Sequence, residues 1–133
     1  LLNNQQIRKE FKKQSDNFKV KTMVVTEYNK LVRDNIPQII EASGKKPTWY
    51  ELGDKDFLTA LQCKVTEEIK ELMEAKTYKD QIEECADLLT VFFQYMDHFN
   101  LEADEVLIKA LEKNMTHGLF NRKIFLQSVE DYR

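Results

Sequence analysis

Apolar residues recur at helical spacing through most of this chain. Ile7, Phe11 and Phe18 fall roughly on one face of residues 1–18, which predicts a short amphipathic helix. Residues 19–27 carry the β-branched run Val24-Val25-Thr26 and predict a short strand. Pro37 suits the first turn of a helix capped by Asp34 or Asn35, running to about Ser43 and stopped by Gly44. Lys45 to Leu52 predicts a second strand starting after Pro47, with Trp49 in the core or at its rim and the core favoured. Asp54, as N-cap, opens a long helix with Phe57, Leu58, Leu61, Val65, Ile69, Leu72 and Met73 as its apolar positions, ending near Lys76. A break at Thr77 leads into a helix over about Tyr78 to His98. A last helix, Ala103 to Thr116, turns Val106, Leu107, Leu111 and Met115 inward and stops at Gly118. Phe120 to Leu126 predicts a closing strand.

From Cys85 to Phe99 the pattern is apolar nearly all round. A helix of that kind must be buried on all sides. One small domain hardly manages that, so the pattern predicts burial against a second subunit. The expected fold is mainly all-α: a helical bundle with short peripheral β-strands, completed by oligomerisation as a homodimer or homotetramer.

Composition narrows the picture. The length, 133 residues, suits one core, and 3 Gly and 2 Pro leave few stops, which favours long helices. Met23 stands just before the strongest motifs, so residues 1–22 are taken as an N-terminal helical extension and residues 23–133 as the domain. A net charge of −3 gives no general nucleic-acid footprint. Cys63 and Cys85 form neither a disulfide framework nor a zinc motif, and are expected as reduced, partly buried core thiols. With no apolar run long enough to span a membrane and no signal-peptide pattern, the expectation is a soluble cytoplasmic protein.

The candidate chemistry lies in residues 67–87. Glu67, Glu68 and Glu71 form one helical cluster, and Glu84 with Asp87 forms another on the next helix. At about 100° per residue, Glu68 falls within roughly 60° of the centre of the stripe Leu58, Leu61, Val65 and Leu72. Glu71 lies at the edge of that stripe and Glu67 nearly opposite. Carboxylates turned into a bundle are costly unless paired or bound to a cation. Two helices each offering carboxylates at i, i+3 suit a hard cation, Mg²⁺ or Mn²⁺, which shares its shell with substrate phosphates. The reaction class this suggests is water attack on a phosphoryl group. Solvated helix surface would explain any one of these acids, but it explains the set less well. A ferritin-like di-iron bundle needs Glu-x-x-His, and neither His98 nor His117 stands in that place. Lys30 and Arg33, Lys109 and Lys113 at i, i+4, and Arg122 are candidate phosphate contacts.

These residues resemble a known family. E-E-x-x-E at 67–71 followed by E-x-x-D at 84–87 looks like the signature of the all-α nucleoside triphosphate pyrophosphohydrolases, which include MazG-like proteins and phosphoribosyl-ATP pyrophosphohydrolase. Tyr28–Pro37, YNKLVRDNIP, resembles the start of a small MazG-like subgroup. The likeness covers about residues 28–126. His117 and Leu119 depart from it, standing where the subgroup usually has Arg and Gly. The resemblance implies that Glu68, Glu71, Glu84 and Asp87 hold Mg²⁺, that Glu67 supports them or activates water, and that a nucleotide is hydrolysed between its α- and β-phosphates. The two departures keep open a non-catalytic nucleotide-binding or helical interaction module on the same fold.

Overall fold

The computed structural model describes residues 1–17 and 22–133. Five helices follow in order: α1 Asn4–Asn17, α2 Ile36–Ala42, α3 Asp54–Glu74, α4 Tyr78–His98 and α5 Ala103–His117. Among the described residues there is no strand. The expected strands at Val24-Val25-Thr26, Lys45–Leu52 and Phe120–Leu126 instead run without regular structure. A strand is held by ladder bonds to a neighbour, and among the described residues these segments have none. Phe18, and the part of the first strand expectation that precedes residue 22, lie outside the described residues.

Local sequence explains where the helices begin and end. Asn3 starts α1 with a reciprocal cap: its Oδ1 accepts the Gln6 N–H at 2.9 Å, and its own N–H donates to Gln6 Oε1 at 3.1 Å. Asn35 occupies the N-cap of α2, Pro37 sits in its first turn, and Gly44 follows its end at φ +83°. The N-cap of α3 is Gly53 rather than Asp54, because the Gly53 carbonyl already accepts the Phe57 N–H at 2.8 Å. Asp54 and Asp56 instead place negative charge in the first turn, where the helix dipole favours it. Thr77 caps α4, its hydroxyl accepting the Asp80 N–H at 3.1 Å. At the far end Asn100 turns left-handed, φ +53°, and lets the Leu101 N–H reach the Met96 carbonyl at 2.8 Å.

The main packing within the chain is α3 against α4, joined through Ala75, Lys76 and Thr77. The pair is antiparallel: Phe57, early in α3, meets the ring of His98 at the end of α4, with centroids 5.8 Å apart. Leu61 (1% exposed) and Val91 (7%) are its most buried apolar side chains. Much of the remaining apolar surface is uncovered. Leu89, Phe92 and Phe93 of α4 and Phe99 at its C-cap are exposed, as are Val106, Leu107, Leu111 and Met115 of α5. The expectation that the α5 residues point inward is not met, because among the described residues no element covers them. Trp49 is likewise exposed rather than core, and so are both thiols, Cys63 and Cys85.

Candidate functional site

The α3–α4 hairpin brings the predicted carboxylates together. Glu68 is 3% exposed, the one charged side chain among the described residues that the hairpin encloses so fully. It belongs to two overlapping groups. Ligand atoms of Glu67, Glu68 and Glu71 lie within 4.8 Å of one another, and so do those of Glu68, Glu84 and Asp87. The i, i+3 and i, i+4 spacings on each helix make this possible, since side chains so spaced stack on one face.

Three cations surround the acids. Lys64 Nζ lies 2.8 Å from Glu68 Oε1 and 3.1 Å from Glu67 Oε1. Lys30 Nζ reaches Glu67 Oε1 at 3.4 Å, and an Arg33 amine donates to Asp87 Oδ1 at 2.6 Å and to the Thr90 hydroxyl at 3.3 Å. Residues 30–33 therefore cross the hairpin, with Lys30 tied to α3 and Arg33 to α4. Leu31, partly buried, sits between these ties.

The charges answer one another unevenly. Burial works against an ionised Glu67, but Lys64 and Lys30 outweigh it and hold its carboxyl below the usual range. Burial also works against the Lys64 ammonium, yet hydrogen bonds to Glu68 and Glu67 win and raise its pKa. Glu84 goes the other way. Loss of water around it, then the carboxylates of Glu71 and Glu68 beside it, push its pKa up to about 7. Glu67 Oε1, Glu68 Oε1 and Asp87 Oδ1 have cationic partners, while Glu68 Oε2 and Glu84 Oε2 are buried without any. Buried carboxylate oxygens of that kind call for a cation or a proton. A divalent cation fits this donor set in charge and in atom type.

Not every expected contact forms. Lys109 pairs with Glu112 on its own helix at 2.8 Å. Among the described residues, neither it nor Lys113 nor Arg122 comes within ion-pair distance of the carboxylates of residues 67–87. Conversely, Lys64 escaped the reading of the sequence. Its position four before Glu68 and three before Glu67 was the available signal.

The chain is 47% identical over 47 residues to an uncharacterized protein of Mycolicibacterium smegmatis; the aligned part is 35% of this chain and 48% of that protein, so it spans about half of the relative's length. No solved structure matches. The profile described as phosphoribosyl-ATP pyrophosphohydrolase matches residues 25–114, a stretch that includes the segment crossing the hairpin and all five acids. The chain thus belongs to the phosphoribosyl-ATP pyrophosphohydrolase family.

Proposed function

We propose that this protein hydrolyses a nucleoside triphosphate, or a related nucleotide, between its α- and β-phosphates, with Mg²⁺ or Mn²⁺ as cofactor. The observation that carries the reading is the pair of unpartnered, buried oxygens, Glu68 Oε2 on α3 and Glu84 Oε2 on α4, within the family's matched region. Glu68, Glu71, Glu84 and Asp87 are the residues that would hold the cation. When bound, it supplies charge neutralisation at a phosphoryl oxygen and makes a water more acidic.

The rest falls to side chains of this chain. In the reaction a water oxygen adds to phosphorus, the bridging P–O bond breaks, and the monophosphate and pyrophosphate leave. Glu67 serves as outer support: it is held ionised between two lysines, which suits it to orient them better than to take up a proton. Arg33 fixes Asp87 through Oδ1 and leaves the other oxygen of that carboxylate for the centre. Lys30 and Arg33 are the near cations for phosphate. Lys109, Lys113 and Arg122 stay in the proposal only as contributions from a second copy of the chain.

A second copy is part of the same reading. The chain exposes 13573 Å², whereas a compact monomer of 15.8 kDa exposes about 7,300 Å². Large apolar residues stand exposed on α4, on α5 and over the last fifteen positions, and also among the described residues of 1–28 and 39–50.

The decisive test is a panel of nucleotides, including noncanonical bases, dUTP and phosphoribosyl-ATP, incubated with Mg²⁺ while pyrophosphate is measured. Turnover of at least one is expected. Glu68→Gln and Asp87→Asn should each abolish it while the circular-dichroism spectrum stays helical. Nucleotide binding without pyrophosphate would assign a binding module instead, and full activity in both variants would remove the metal-site assignment.

A further inference from the structure

A cavity of about 250 Å³ opens beside the carboxylates, between residues 29–31 and the middle of α3. Lys30, Lys64 and Glu67 line it together with Asn29 and Cys63, and Leu31 and Ala60 complete its wall. No aromatic ring is among these residues, so the cavity offers nothing for a base to stack on. It does offer donors. Glu67 Oε1 gathers both ammonium groups, at 3.4 and 3.1 Å, and so draws Lys30 and Lys64 to one place. An ammonium has three N–H donors. The carboxylates take one from Lys30 and two from Lys64, which leaves donors of both for a ligand.

Charge decides when that ligand binds. Two ammonium groups stand against Glu67 and Glu68, so the cavity is balanced while Glu68 is committed to Lys64 alone. A divalent cation on Glu68 Oε2 would draw the carboxylate's charge away from Lys64 and leave the cavity net positive. Glu67 links the two places, since it lies within 4.8 Å of Glu68 and Glu71 and also lines the cavity.

We propose that this cavity receives the diphosphate end of the nucleotide, the part released as pyrophosphate, with Lys30 and Lys64 as its two cationic anchors. The assignment rests on the hydrolytic reading above and adds to it the subsite, the role of Lys64 and the side from which the leaving group departs. The nucleoside then lies outside this cavity.

Cys63 is a reporter built into the wall. In a Cys85→Ser background it is the single thiol, and its alkylation by neutral iodoacetamide can be followed by mass spectrometry. Inorganic pyrophosphate should slow alkylation several-fold, more so with Mg²⁺ present, and sulfate at equal ionic strength should not. Lys30→Met, on an exposed segment away from the hairpin core, should remove the protection, and Lys64→Met should do the same. An unchanged rate at millimolar pyrophosphate, protection that survives both lysine substitutions, or a Cys63 that does not react even without ligand would each overturn the assignment. The hydrolysis assay keeps the two readings apart. Turnover without protection sinks the subsite alone; protection without turnover sustains the subsite and sinks the hydrolytic reading.

Discussion

At the scale of single residues, Glu84 is the group most sensitive to its surroundings. Its pKa is raised from 4.5 to about 7, so the folded chain holds a proton there that the unfolded chain has already lost. The sign follows from linkage. Between about pH 4.5 and pH 7 the folded state binds more protons, so the contribution of Glu84 to stability falls as pH rises through that window. In chelator, melting of the wild type should decline across it, and Glu84→Gln should flatten that decline. Cation binding must displace the same proton. Mn²⁺ affinity, measured by calorimetry in two buffers of different ionisation heat, should therefore rise as pH passes about 7 and show proton release below it. Affinity independent of pH from 6 to 8, on the order of one unit either side of that pKa, would remove Glu84 from the ligand set.

The acids were the most readable part of the sequence at this scale. Glu68 was expected near the centre of an apolar stripe and is among the most buried side chains of the chain. Its angle is a property of one helix, and periodicity reports that directly. The partner oxygens of Arg33 and Lys30 were not legible, because nothing in local spacing says which distant acid a side chain will reach. Lys64 was legible and overlooked, its pairing being local to α3.

At the scale of elements, α3 and α4 stand or fall together. Each spans about 31 Å at 1.5 Å per residue, and among the described residues each leans on the other for its only extensive packing. Leu61, at 1% exposure, sits one helical turn before Val65 and seven residues before Glu68, so it anchors the face that carries the acids. Leu61→Ala should cost roughly 2–5 kcal/mol, read from urea denaturation, and should weaken Mn²⁺ binding by loosening that face. A change within a few tenths of a kcal/mol, typical of exposed positions, would show that the hairpin is not the stabilising unit. Helix borders on α4 were foreseen from Thr77 and His98, since capping chemistry is written in neighbouring residues. The three strands were a different matter. Residues 24–26, 45–52 and 120–126 have the composition of strands, but composition cannot provide the edge against which a strand forms.

At the scale of the whole molecule the dominant fact is the surface left open. An apolar groove of about 350 Å³ runs between α3 and α4, lined by Gln62, Val65, Phe92 and Tyr95, and Phe93 of α4 is exposed as well. Contiguous exposed apolar surface of this kind is what the proposed association with a second copy would cover. Sedimentation velocity should give a mass at least twice 15.8 kDa, and dilution should lower the melting temperature, as mass action requires of a folded state completed by association. Phe92→Glu should shift the species toward monomer. A well-folded monomer with a melting temperature independent of concentration would contradict this.

The three-residue link between α3 and α4 also sets an order of events in time. Contacts across a tight helical hairpin are close in sequence, and such contacts form quickly because little chain entropy is lost in closing them. Meeting a second chain is a bimolecular step whose rate depends on concentration. Glu68, Glu84 and Asp87 are therefore brought together by the fast step, before any partner arrives. A newly made chain presents its acids to the cations of its surroundings early, while in the proposed assembly the exposed apolar residues of α4 and α5 would be covered only in the slower step.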